Sequence, residues 1–220
     1  MFKGKVLLFS LLLVFATSLN AGEVDGCQSD CYLSCDPCTM RVNICPAGDF
    51  ENISAGYYHV DGTDTHYIKV IVRDGSGNGI AGIPISDYWI DACVDTMALC
   101  LCANIVNADS FTNSNGETTL SDEISAGGCV WEGGIYIAVQ GQIIRGGGGC
   151  DIICLDVVTP TPDLNRTCEV TVADLTFFGQ SYHHDYPEPE FDTCCDYNDD
   201  NRCSVSDFSF FGEHYRHGCM

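Results

Sequence analysis

Positive charge is scarce in this sequence. Nine Lys and Arg stand against 31 Asp and Glu, a formal net charge of −22 over 220 residues. A protein that holds nucleic acid by neutralising phosphates needs a basic surface. One drawn to an anionic membrane needs a basic cluster. The charge argues against both. Long apolar runs are missing beyond the first 21 residues, so no membrane span is expected in the rest of the chain. Catalytic signatures are missing as well: there is no nucleophile elbow, P-loop or zincin motif, and Gly146 to Gly149 lacks the Lys-Ser/Thr that follows a phosphate loop. No carboxylate pair can be assigned to glycoside hydrolysis from order along the chain, because separation in space sets that chemistry. The expectation is a protein that is not an enzyme.

Cysteine is what the chain has in quantity, 16 residues, close to the level of ~8–10% that marks short disulfide scaffolds. A reducing cytosol would leave them as free thiols, so an oxidising compartment is expected. The N-terminus agrees. Lys3 and Lys5 precede an apolar run over 6–16 broken only by Ser10, and Ala16, Ser18 and Ala21 offer small residues for cleavage. Residues 1–21 have the form of a signal peptide and predict a secreted, extracellular protein. Its removal takes away two of the nine cations and no acid or cysteine. Self-repulsion of the remaining charge calls for bound cations or covalent cross-links.

Residues 22–48 form a Cys-rich segment with Cys27, Cys31, Cys35, Cys38 and Cys45. The C-x2-C pair Cys35/Cys38 raises a zinc site, but no histidine lies nearby in the chain and an exported protein oxidises such thiols, so disulfides are expected. Over 49–158, short β-rich runs alternate with glycine turns. Strands are expected at 66–72, 80–85, 118–120, 135–139 and 152–158, with a turn cluster at 74–79. Strands at this spacing, without a helical period, predict an antiparallel β-sandwich. The segment VRDGSGNGIAGIP (72–84), followed by TNSNGET (112–118), resembles bacterial Ig-like and carboxypeptidase-regulatory-like sandwich domains. That resemblance implies a spacer, adhesion module or sugar-binding support. Thr159-Pro160-Thr161-Pro162 then reads as an extended link.

Beyond the link the chain repeats itself. DLNRTCEVTVADLTFFG from Asp163 and DYNDDNRCSVSDFSFFG from Asp196 align without a gap at an offset of 33 residues, and Tyr182-His183-His184 matches Tyr215-Arg216-His217. Repetition of this kind marks a duplicated structural unit. Each copy places oxygen donors at loop positions 1, 3, 5, 9 and 12, which a carbonyl at position 7 completes into a 12-residue calcium loop. The second loop offers Asp196, Asn198, Asp200, the carbonyl of Arg202, Ser204 and Asp207, with Asn201 at the sharp turn. The first offers Asp163, Asn165, Thr167, the carbonyl of Glu169, Thr171 and Asp174. Thr167 replaces a charged ligand and Cys168 occupies the turn. Two Ca2+ sites are expected, the 196–207 loop being the stronger and the other held in shape by a disulfide from Cys168. Each loop leads into an apolar helix start, Leu175/Phe178 and Phe208/Phe211.

Residues 163–217 resemble a type I dockerin domain, down to Asp at position 12 in both copies. The resemblance implies a small all-α pair of calcium loop–helix repeats that binds a cohesin-like domain on a scaffold or surface protein. The family's recognition residues follow the ninth loop position, which falls on Val172 and Ala173 in one copy and Val205 and Ser206 in the other. Thr167 and the cysteines Cys168, Cys194, Cys195, Cys203 and Cys219 depart from the family pattern.

The expected fold is therefore multidomain. A disulfide-rich, all-β, Ig-like sandwich (49–158) is followed by the linker 159–162 and an all-α dockerin-like calcium module (163–220). The expected function is non-catalytic attachment of the sandwich to a cell surface or extracellular complex. The alternative is a secreted carbohydrate-binding or polysaccharide-degrading component, for which Trp89 and Trp131 are candidate sugar-stacking residues. His59, Asp61, Asp64 and His66 read as a metal clasp or as a polar hairpin. His183, His184, His214 and His217 read as helix-end cations or as a transition-metal site. Asn52-Ile53-Ser54 is a glycosylation sequon. Residues 22–162 hold 11 cysteines and 163–220 hold five, both odd, so either at least one bridge joins the two regions or each keeps a free thiol.

Overall fold

Alternation of apolar and polar side chains selects the strands that form. In the computed structural model, which describes residues 22–35, 38–58, 66–94, 99–102, 105–146 and 150–219, Ile68 and Val70 point into the core from β4 (Ile68–Ile71) while Lys69 lies between them at the surface. β4 pairs antiparallel with β1 (Asp30–Leu33) and β7 (Glu117–Leu120). A second sheet sets β9 (Ile135–Val139) between β5 (Tyr88–Ala92) and β10 (Gln142–Ile143). The β9–β10 hairpin closes on Gln140 and Gly141, both at positive φ, as a two-residue hairpin turn requires. A third sheet orders β11 (Val157–Val158), β2 (Met40–Arg41) and β3 (Tyr57–Tyr58), its β11–β2 pair running parallel. β6 (Cys100–Leu101) and β8 (Ala126–Gly127) form a short ladder. Two helices follow, α1 (Val172–Ser181) and α2 (Val205–Glu213). Residues 1–21, expected to be a signal peptide, and His59, Asp61 and Asp64 lie outside the described residues.

The expected pairing of an Ig-like sandwich with an all-α calcium module is not what this sequence builds. Among the described residues the strands are two to five residues long and fall into four small sheets, one with a parallel pair, which is not the antiparallel strand set expected of an Ig-like sandwich. The run 80–85 is not a strand: Gly82 sits at positive φ and Pro84 follows. The Thr112 hydroxyl holds the run in place, donating to the Ile80 carbonyl at 2.7 Å and accepting the Ile83 N–H at 2.9 Å.

Nor is the C-terminal part an all-α pair. Its two short helices are joined by bridges between extended segments. Val170 N–H donates to the His217 carbonyl and Arg216 N–H to that of Val170, both at 2.8 Å. His183 N–H donates to the Cys203 carbonyl at 2.8 Å and Cys203 N–H to that of His184 at 3.2 Å. The end of each loop thus pairs with the tail of the other repeat. The core beneath them gathers Val170, Phe178, Tyr197 and Phe211, but also Cys45, Ala47 and Phe50 from the N-terminal segment.

Seven disulfides cross-link the described residues. Cys27–Cys150, Cys35–Cys38 and Cys93–Cys154 lie within 22–162, and Cys195–Cys203 within the repeat region. Cys100–Cys168, Cys102–Cys219 and Cys129–Cys194 join the two, while Cys31 and Cys45 are free and buried. The Thr-Pro segment is packed between the regions: Thr159 and Thr161 are fully buried, and Thr159 N–H donates to Val130 and Thr161 N–H to Cys194. So extensive a disulfide set is consistent with an extracellular protein. Among the described residues no helix is long and apolar enough to cross a membrane.

Candidate metal centre

The two repeated loops take the same backbone path. Arg166 and Cys168 have φ of 62° and 63°, and their counterparts Asp199 and Asn201 have 57° and 63°. Left-handed residues at positions 4 and 6 curl each loop so that its amide hydrogens point inward. In the first loop the buried Asp163 carboxylate accepts the N–H groups of Thr167 (3.0 Å) and Cys168 (2.8 Å). In the second, Asp196 accepts those of Asp200 and Asn201, both at 3.1 Å.

At the other end, position 12 caps the helix. Asp174 accepts Thr171 N–H at 2.8 Å while the Thr171 hydroxyl accepts Ala173 N–H, and Asp207 and Ser204 do the same for α2. A capping box alone accounts for positions 9 and 12. It does not account for the second oxygen of each position-12 carboxylate, which reaches back across the loop to Asn165 N–H (2.9 Å) or Tyr197 N–H (2.8 Å).

The remaining candidates converge unevenly. In the first loop the Thr167 hydroxyl lies 2.6 Å from Asn165 Oδ1 and 3.3 Å from the Glu169 carbonyl, which brings positions 3, 5 and 7 together. In the second loop Asn198 Oδ1 accepts Asp200 N–H, its amide nitrogen donates to Asp200 Oδ2 at 3.1 Å, and the Arg202 side chain turns away to Asp185.

Four buried carboxylates in two facing pairs are electrostatically costly. Burial pushes the Asp163 carboxyl up to about 6, and the like charge of Asp174 adds to the rise. Burial likewise raises Asp196 to about 6, with Asp207 adding and Arg41 opposing. The donors are oxygens throughout, the set a hard cation of the calcium type takes, and such an ion would offset the repulsion within each pair.

Arg41 and Gly127 carry no signal in local sequence. Arg41, buried on β2, donates to the Asp196 and Thr193 carbonyls and lies 4.0 Å from the Asp196 carboxylate and 3.5 Å from that of Asp199. Gly127 on β8 lies against the Asp163 carboxylate so closely that a Cβ there would collide with it. The expected recognition residues Val172 and Val205 open the two helices, each 66% exposed. Ala173 beside them is exposed, whereas Ser206 is half-buried, its hydroxyl engaged with Ser204 and Asn198.

Trp89 and Trp131 are both exposed. Trp131 faces a cleft of about 520 Å³ lined also by Phe177, Gln180, Glu190 and Asp192. No protein family, curated protein or solved structure matches this chain.

Proposed function

We propose that this is a secreted, non-catalytic calcium protein. Each of its two loops holds one Ca2+, and its duplicated helix surface docks a cohesin-like domain in the manner of dockerins. What supports the reading most is the repeated cradle, in which both loops turn at the same two left-handed positions and bury a facing pair of carboxylates. Bound calcium would fix the helix starts, where Val172 and Ala173, and Val205 and Ser206, present the partner-binding residues. The ions would also lower the charge of residues 163–220, where twelve acids stand against three bases.

The test is calorimetric titration of the full chain with Ca2+, followed by a pull-down with cohesin domains in calcium and in EDTA. Two binding events are expected. Asp207→Asn should weaken one of them by about tenfold or more, about 1.4 kcal/mol, and Thr167→Ala should do less. Unchanged thermal stability and hydrogen exchange on adding EDTA would overturn the calcium reading, and a calcium-independent pull-down would overturn the docking.

The cleft at Trp131 favours a second reading, a carbohydrate-binding component recruited through the same repeats. Exposed indole and phenyl rings beside acids are the groups that stack on and hydrogen-bond sugar rings. Binding of soluble polysaccharide that Trp131→Ala abolishes would favour it.

A further inference from the structure

The fold brings Cys45, Asp49 and His217 together, with one ligating atom from each within 4.8 Å of the other two. His217 Nδ1 lies 3.0 and 3.2 Å from the two Asp49 oxygens. Cys45 opens a tight turn in which Gly48 N–H donates to the Cys45 carbonyl at 2.9 Å. Within that turn burial pushes the Cys45 thiol up to about 12, Asp49 adding to the rise and the Ala47 N–H opposing it. The tail carrying His217 is clamped by the paired backbone of Val170 and Arg216 and by the Cys102–Cys219 disulfide. Asp49 and His217 are 47% and 35% exposed while Cys45 is buried, so the cluster opens to solvent on its oxygen and nitrogen side. Beside it His214 stacks on His217 with ring centroids 5.4 Å apart. His214 is 7% exposed, and neither of its ring nitrogens has a hydrogen-bond partner.

We propose that Cys45, Asp49 and His217 form a site for a divalent transition-metal ion of the zinc type, beside which His214 lies buried. Sulfur and imidazole beside a carboxylate are donors that zinc takes, whereas calcium takes oxygen alone. On binding, the Cys45 thiol releases its proton to solvent, and the metal–sulfur bond replaces the S–H bond. The sulfurs of Cys102, Cys168 and Cys219, which also cluster, are engaged in disulfides. Cys31, the other free thiol, belongs to the main core cluster, apart from Cys45.

The experiment is titration of the full chain with Co2+, read by the thiolate-to-cobalt charge-transfer band in the near ultraviolet, then displacement by Zn2+. One equivalent should produce the band. Cys45→Ser should abolish it and His217→Ala should weaken Co2+ binding by at least about tenfold, whereas Cys31→Ser should leave it intact. Asp196→Asn, which acts on the calcium loops, should also leave it intact, so failure here and failure of the calcium reading are separate results. His217→Ala alters a half-exposed side chain and keeps the core. A missing band, a band that survives in Cys45→Ser, or unchanged Co2+ affinity in His217→Ala overturns the proposal.

Discussion

Asp163 and Asp196 are buried acids whose carboxyls stand near 6 in the folded chain, against about 3.9 for an unfolded Asp. A raised carboxyl means that the native state holds protons the unfolded chain has already released. Without metal, these two residues therefore stabilise the fold below about pH 4, and that contribution is lost as pH rises through about 6. The groups facing them set the size of the effect: Asp174 for Asp163, and Asp207 with the opposing Arg41 for Asp196. Calcium binds the deprotonated form, so the stability it adds should grow over the same interval. Urea denaturation at about pH 4.5 and about pH 7.5, with and without Ca2+, checks this. The metal-free slope should flatten in the Asp163→Asn/Asp196→Asn variant, and an unchanged slope would mean that burial is not what governs these acids.

Among the elements, α1 and α2 carry glycine where helices usually avoid it. Gly179 and Gly212 occupy equivalent positions 33 residues apart, and a Cβ on either would meet nothing within 4 Å. Glycine inside a helix costs ~1 kcal/mol relative to alanine, and no packing at these positions repays it. Gly179→Ala and Gly212→Ala should each raise stability by ~0.5–1 kcal/mol in chemical denaturation. If the helix surface docks a partner, the double variant should at the same time weaken docking, because the flat stripe Val172-Thr176-Gly179 and its copy Val205-Ser209-Gly212 gains bulk. A destabilised variant would mean that the glycines serve the helices themselves. The helices were legible from the apolar pairs Leu175/Phe178 and Phe208/Phe211 that follow each loop. The sheets were less so. β4, β7 and β9 follow from alternation and β-branched residues, whereas two-residue strands such as Met40–Arg41 exist only because a distant partner supplies their hydrogen bonds.

For the molecule as a whole, the decisive links are the three disulfides between residues 22–162 and the repeats. Together with the buried Thr-Pro segment they make the two regions mechanically dependent. Calorimetry should show one cooperative unfolding transition under oxidising conditions. Replacing Cys129 and Cys194 with Ser should cost about 2–4 kcal/mol and expose the Thr-Pro segment to proteolysis. Two separate transitions in the unaltered chain would show that the regions fold independently.

The sequence by itself determined whatever depends on neighbours a few residues apart: the 12-residue spacing of oxygen donors, the sharp turns at Cys168 and Asn201, and the apolar helix starts Leu175/Phe178 and Phe208/Phe211. Hydrogen bonds and backbone preferences act at that range, so their residues can be read in order. Only the tertiary structure decided that Arg41 sits against Asp196, 155 residues away, that Gly127 seats Asp163, and that a histidine reaches the cysteine-rich segment. His217 meets Asp49 across 168 residues, a contact that exists because disulfides and a shared core close the chain on itself. The two-layer sandwich and the all-α module failed as expectations because the strands are short and fall into small sheets, and because extended segments bridge the two helices over a core that also takes in Cys45, Ala47 and Phe50.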